Sequence, residues 1–347
     1  MRPWMGNALL LLGSVAVTAG FLEAAMAVAL AYPQLLPAGD GLLGKPRVLV
    51  RNYYKSRNRW VVQYLPQCVR YDPELAYTLR PGGTCRVVNH DHVAEYSANR
   101  AGLRDTDAAL ESPYAVVLGD SHTMGSGVAA AESFPKQLEQ DLGLPVLNAG
   151  ISSFGTARQL GLLQRLELPS TRALVIQYCD NDLRENRRYV EDGALEIMSR
   201  HEHRALVRQH RRTTRYYPLK HVRNMVGSAG RVIGGERARA APGTTMDTEE
   251  ARYFLQVLER HGELIEGKTV VVLELNGSGG DDGRFVAALR DLLAEPGYAE
   301  LARWISVIDV SAHLEPADYL PLDGHMKPRG HAKVARLVAE ELRRRGL

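Results

Sequence analysis

Residues 115–121 read Ala-Val-Val-Leu-Gly-Asp-Ser, an apolar run that stops on a small residue, an acid and a hydroxyl. A strand buried on both faces of a parallel sheet has this composition, and ligands bind outside the carboxyl ends of such strands. The stretch therefore predicts Ser121 at the lip of a sheet, where a nucleophile is useful. Gly-Asp-Ser alone is also ordinary turn chemistry. The order of the remaining chain adds weight. Asn148-Ala149-Gly150 follows a second short apolar run, Asn181-Asp182 follows a third, and Asp323-Gly324-His325 lies near the C-terminus.

From residue 114 onward, strand and helix patterns alternate. Strands are expected over Tyr114–Leu118, Pro145–Asn148, Ala173–Gln177, Thr269–Leu275 and Ile305–Val310. Helical patterns fall near 131–142, 155–166, 248–261, 281–294 and 329–345. Such alternation predicts an α/β/α sandwich of three layers with a five-stranded parallel sheet. In the last helix Val334, Leu337, Val338 and Leu342 recur at helical spacing, and His331 at its start reads as a polar contact or core histidine, not as a base.

The four polar segments, in this order, resemble the SGNH (GDSL-type) hydrolase superfamily, in its membrane-anchored bacterial branch, over roughly residues 114–345. The resemblance implies the flavodoxin-like SGNH fold, with Ser121 as nucleophile and no cofactor. It implies an oxyanion hole from the Ser121 and Gly150 backbone N–H groups and the Asn181 amide, and a triad completed by Asp323 and His325. Three positions depart from the family pattern. His122 stands where Leu is expected, Cys179 where the third block usually has Gly, and the acid and His are separated by one residue instead of the commoner two. That last spacing also occurs in the branch resembling polysaccharide O-acetyltransferases.

The chemistry needs these residue types. A serine hydroxyl is a poor nucleophile until a base takes its proton, and imidazole has the pKa for that near neutrality. The imidazole needs an acceptor on its other nitrogen, which Asp323 is close enough in sequence to supply. Attack on an acyl carbon places negative charge on oxygen, and each preorganised donor there contributes on the order of 3 kcal/mol. Three functions use this apparatus: an ester hydrolase of the esterase, lipase or deacetylase type, an O-acyltransferase of envelope or exopolysaccharide, and a non-catalytic glycan-binding protein that retained the fold. Presence of all five site residues argues against the third. The expected partner is an acyl ester of a carbohydrate or lipid.

The N-terminus is unusual. After Arg2 no charge occurs until Glu23, and after Glu23 none until Asp40. Gly6 to Ala25 is long enough for one membrane-spanning helix, with Glu23 near an interface where a carboxylate reaches headgroups. The rival is a cleaved signal peptide with Ala8–Phe21 as apolar core and Ala29-Leu30-Ala31 as cleavage site. Either reading puts the catalytic domain outside the cytoplasm, on the periplasmic side if anchored and secreted if cleaved. Cys68 and Cys85 flank turn-rich sequence, and an exported segment with two nearby cysteines is a candidate disulfide, contributing about 3 kcal/mol. Cys179 ends a strand-like run and reads as a small buried hydrophobe. No clustered His/Cys spacing argues for a metal, and a net charge of +3 does not indicate nucleic acid.

Residues 1–45 thus read as anchor or signal segment and linker, 46–112 as short strands and loops packing on the core, and 113–347 as the catalytic domain with an insertion at 183–245. Within 46–112, the stretch Asn99-Arg100-Ala101-Gly102-Leu103-Arg104-Asp105 resembles the segment that precedes the first block in anchored relatives. A turn with an Arg–Asp pair is expected there. In the insertion, Arg204, Arg208, Arg211, Arg212 and Arg215 make one basic stripe if helical. The stripe suits either a solvated face or an anionic partner, phospholipid headgroups or an acidic polysaccharide. His201, His203, His210 and His221 lie there too, without carboxylates or cysteines at ligand spacing. Gly227–Gly243 reads as a flexible return to the sheet, and the insertion as a lid. Asn276–Gly280 is a loop at the same sheet edge but lacks the Lys-Ser/Thr of a phosphate loop.

Overall fold

In the computed structural model the described residues are 3–36, 45–233, 244–278 and 282–347. The linker residues Pro37, Gly39, Gly41 and Gly44, the 234–243 part of the return, and Gly279 and Gly280 lie outside them. The chain divides into two units: Met1–Arg59, Arg211–Ala241 and Pro321–Asp323 form one, and Trp60–His210, Pro242–Leu320 and Gly324–Leu347 form the other.

The first unit is helical. Helix α1 (Pro3–Ala31) holds the apolar span Gly6–Ala31, with Leu10, Val17 and Phe21 exposed, and is long enough to cross a membrane. Helix α2 (Lys45–Arg57) replaces the strands and loops expected at its start. Its Val50, Tyr53 and Tyr54 recur at helical spacing and pack with Leu30 and Leu322. Glu23 has its partners within this unit. Its carboxylate accepts from the backbone N–H groups of His221 (2.9 Å) and Val222 (3.0 Å) and from the Tyr216 hydroxyl (3.2 Å). These N–H groups belong to the first turn of a helix that starts at Lys220, where an acid is favoured.

The second unit begins with two antiparallel hairpins, β1 (Val69–Asp72) with β2 (Ala76–Leu79) and β3 (Thr84–Val88) with β4 (Val93–Ser97). A Cys68–Cys85 disulfide, with Cα atoms 5.2 Å apart, ties one hairpin to the other. The main sheet is built from β5 (Ala115–Leu118), β6 (Val146–Asn148), β7 (Ala173–Tyr178), β8 (Thr269–Glu274) and β9 (Ile305–Ile308), all parallel, in the order β6-β5-β7-β8-β9. The expected α/β/α class and all five strands are present.

The alternation of side chains along each strand divides the interior. Val116, Leu118, Leu174, Ile176, Val270 and Val272 enter one core, with residues of the helices Thr156–Leu166, Thr244–Glu259 and Arg284–Leu293. Ala115, Val117, Ala173, Val175, Val271 and Leu273 enter the other, with Phe134 and Leu138 and with Val334, Val338 and Leu342 of the last helix, Pro328–Arg344. Covering on both faces is why the strands read as continuous apolar runs.

Ser121 begins a single helical turn, α3 (Ser121–Met124), closed by Gly125 at φ 80°. Oriented local N–H groups, not a long helix dipole, therefore supply positive potential there. Then follow α4 (Phe134–Leu142), α5 (Thr156–Leu166), α6 (Leu183–Asp192), α7 (Arg200–Thr214), α8 (Lys220–Ile233) and α9 (Thr244–Glu259). The described part of the insertion is thus largely helical, and in its first part Tyr189, Val190, Leu195 and Met198 pack against the larger core.

Candidate active site

The strand order reverses at β5, so the carboxyl ends of β5 and β7 make the crevice in which α/β sheets bind ligands. Ser121 follows β5, Gly150 follows β6 and Asn181 follows β7, all at that edge. His325 arrives from the segment before the last helix. Leu320 N–H donates to the His325 carbonyl at 2.8 Å, and Ser278 N–H to the Gly324 carbonyl at 3.0 Å. Gly324 sits at φ 84°, a left-handed value that explains a glycine between the acid and the histidine. The result is that His325 Nε2 lies 2.7 Å from Ser121 Oγ.

The turn that presents Ser121 is fixed from three directions. Asp120 is buried, and its Oδ1 accepts the His122 N–H at 2.9 Å, capping the turn. Gln177, buried inside β7, accepts the Asp120 N–H (3.0 Å) and the Thr123 hydroxyl (3.1 Å) on one oxygen, and its amide donates to the Tyr178 and Leu275 carbonyls. A side chain on Gly119 would meet that oxygen at 2.5 Å. Arg104 holds the turn's other end. Fully buried, it donates to the carbonyls of Met124 (3.1 Å), Gly125 (2.5 Å), Val128 (2.8 Å) and Glu95 (2.6 Å), with its guanidinium over the Tyr96 ring.

The segment's Arg–Asp pair is the exposed Arg100–Asp107, 3.7 Å apart, and it is not an Arg–Asp pair that seats the segment on the core. Asp105 turns the other way, accepting the Asn148 N–H at 2.9 Å and pairing with Lys136 at 3.1 Å. The turn itself is closed by Asn99, whose side chain accepts from Ala101 and Leu103 N–H. One residue of the segment fixes the Ser121 turn and the next fixes the Asn148–Gly150 loop. A cation whose partners are all main-chain carbonyls leaves no signature in sequence, so Arg104 and Gln177 were not among the expected site residues.

Gly150 packs directly on the Ser121 turn: a Cβ there would meet Met124 N at 2.4 Å. Its N–H donates to Asn148 Oδ1 at 3.0 Å. The Asn181 side chain is near enough to the Asp120 carboxyl, beside Ser121, to lower its pKa. Burial pushes the Asp120 carboxyl up, against the lowering by the His122 N–H, the nearby His325 and the Asn181 and Gln177 side chains. Asp182 is raised further, by burial and then by the Asp120 charge, and it accepts the Thr156 hydroxyl at 3.0 Å. Asp323, in the first unit, accepts the Tyr54 hydroxyl at 3.3 Å and lies 3.8 Å from the Arg59 guanidinium. Cys179 is a buried free thiol, and burial raises its pKa well above the usual range. Among the described residues no His, Cys, Asp and Glu group is arranged to hold a metal ion.

His331 is a core histidine. Fully buried and stacked on Phe134, it accepts the Phe134 N–H on Nδ1 at 3.2 Å, satisfying a donor at the start of α4. Burial first, then the nearby His325 and Arg104 charges, hold its pKa down to about 3. The unfolded chain protonates this imidazole near its ordinary value of about 6.5, so between roughly pH 6.5 and 3 the unfolded state carries the extra proton. The stability from neutral His331 is whole above that window and declines as pH falls through it, by up to about 1.4 kcal/mol per pH unit. In thermal unfolding followed from pH 7 to 4, His331→Gln should show a slope shallower by about one proton than the parent. An unchanged slope would contradict a neutral buried His331.

A family model described as a domain of unknown function (DUF6473) matches residues 86–190. No curated protein matches the sequence. Among solved structures, the chain is similar to a putative lipolytic protein of the G-D-S-L family from Desulfitobacterium hafniense, at 15% identity and TM-score 0.35, covering 65% of this chain and 97% of that one. A lipolytic G-D-S-L protein from Veillonella parvula is similar at 14% identity and TM-score 0.38, with 66% and 98% covered. A Corynascus carbohydrate esterase of family 2 with a carbohydrate-binding domain is similar at 13% identity and TM-score 0.37, with 66% and 64% covered. The five-stranded parallel sheet in the order 2-1-3-4-5, with Gly-Asp-Ser at the carboxyl end of its first strand, gives this chain a flavodoxin-like α/β/α fold.

Proposed function

We propose that the protein is a serine-dependent ester hydrolase acting outside the cytoplasm, held to a membrane by α1. The observation that carries this reading is the 2.7 Å approach of His325 Nε2 to Ser121 Oγ at the sheet's carboxyl edge. In the proposed reaction His325 takes the Ser121 proton as the hydroxyl oxygen attacks the ester carbonyl, then returns it to the leaving alcohol. Water repeats the sequence on the acyl-enzyme and frees the acid. Asp323, two residues earlier in the chain, is assigned the other ring nitrogen. The oxyanion is assigned to the Ser121 N–H, the Asn181 amide and the Gly150 N–H. The Gly150 N–H exchanges its present acceptor, Asn148 Oδ1, for the substrate oxygen. Asn181→Ala should then reduce turnover by roughly 100-fold. The Cys68–Cys85 disulfide supports an oxidising compartment.

The test is hydrolysis of p-nitrophenyl acetate by the full chain in detergent, with and without oligosaccharide acceptors. Release of free acetate, unaffected by acceptors, is the expected result. Acetyl groups recovered on the sugar would make the protein a transferase, and absence of turnover would remove the enzyme reading.

A further inference from the structure

Away from the Ser121 edge, the second unit carries a concave groove of about 490 Å³ whose lining includes Arg70, Arg80, Arg200, Arg204 and Arg208. Most arginines elsewhere that meet a charge meet a carboxylate, as Arg158 does with Glu185 and Arg165 with Asp72. Here no carboxylate lines the walls. Arg80 is steadied by the Pro66 carbonyl at 2.6 Å, and Arg200 lies over the Tyr71 ring at 5.2 Å. Arg70, Arg204 and Arg208 are exposed and have no ion pair among the described residues. The one nearby acid of α7, Glu202, is engaged with the Ser199 N–H at the helix start. Five like charges around one hollow repel one another, and the chain leaves that repulsion unrelieved.

The groove's floor connects to the site. His203, buried beneath the arginines, stacks on Tyr77 with ring centroids 5.9 Å apart and donates from Nε2 to the Gln63 carbonyl at 3.3 Å. Tyr77 donates its hydroxyl proton to the Ser152 carbonyl at 2.7 Å, and Gln63 binds the Ser152 and Ser153 hydroxyls. Ser152 is two residues past Gly150. A ligand held in the groove is thus one packing layer from the loop assigned to the oxyanion hole.

We propose that this groove binds a carboxylate-bearing polysaccharide and that the ester cleaved at Ser121 is an acyl substituent of that chain, an inference that rests on the hydrolase reading. Guanidinium forks match carboxylates bidentately. Arg200, Arg204 and Arg208 repeat every fourth residue along one face of α7, roughly 6 Å apart, comparable to the advance of an extended glycan by one sugar. A concave site with its cations on the walls fits a strand, whereas a bilayer surface is met by flat or convex faces with protruding apolar groups.

The experiment compares the full chain in detergent with the exposed double variant Arg204→Glu/Arg208→Glu, using polygalacturonate, neutral dextran and phosphatidylglycerol vesicles as probes. The parent should bind polygalacturonate in a salt-sensitive manner and leave dextran unbound. The double variant should bind polygalacturonate roughly tenfold or more weakly, with p-nitrophenyl acetate turnover and thermal stability unchanged. Equal binding by parent and double variant, or retention of dextran equal to polygalacturonate, overturns the proposal. So does binding to the vesicles, through these arginines, in preference to the glycan. Loss of aryl-ester turnover in the parent is a failure of the hydrolase reading, and the polygalacturonate arm reads the groove independently of it.

Discussion

Ser121→Ala and His325→Ala are each expected to lower turnover of a small aryl ester by roughly 10⁴-fold or more, and the double variant to be little worse than either. The non-additivity is the informative part. With Nε2 2.7 Å from Oγ, the proposed task of the imidazole is to take the hydroxyl proton, and a chain lacking Ser121 has no such proton to give. Steady-state kinetics on the three variants check this, with thermal unfolding to confirm that each remains folded. If the losses multiplied, the two residues would be acting on separate steps. Asp323→Ala should cost less than either, since an orienting acid aligns the ring without exchanging a proton.

Arg104→Met should give the largest loss of stability of any single change near the site, about 3–5 kcal/mol, and a fall in Tm of roughly 10 °C. Methionine fills much of the space but leaves the carbonyls of Glu95, Met124, Gly125 and Val128 without the donor each now has. Arg104→Lys should recover only part, because an ammonium carries three donors on one atom and cannot span four carbonyls. Circular dichroism melts of the three proteins measure this. A methionine variant within about 2 °C of the parent would show that water reaches these carbonyls. A loosened Ser121 turn should also lower kcat in the methionine variant.

The sheet was readable in the sequence because burial on both faces writes itself as uninterrupted apolar runs, as in Ala115–Leu118 and Thr269–Glu274. That Ser121 and His325 would lie together was readable from the order of the polar segments, and Gly324 because a left-handed turn restricts residue type. Helix α2 was obscured by its many basic residues, although Val50, Tyr53 and Tyr54 carried the helical period. Glu23 looked like a lone acid at a membrane interface, and only the fold brings it to the first turn of α8. Arg104 and Asp105 invited pairing with each other. They instead meet backbone groups of Met124, Gly125 and Asn148, long-range contacts that no local spacing encodes. The same holds for Gln177, a polar residue inside an apolar strand whose partners all lie on other segments or on the backbone.

Whether Ser121 is a nucleophile activated by His325 is measured by reaction of the full chain with a fluorophosphonate, followed by peptide mass spectrometry, on the parent and on His325→Ala. One phosphonyl group per chain is expected, located on Ser121, with labelling strongly slowed in the histidine variant. Modification spread over surface serines, or labelling of Ser121 at the same rate without His325, would contradict it.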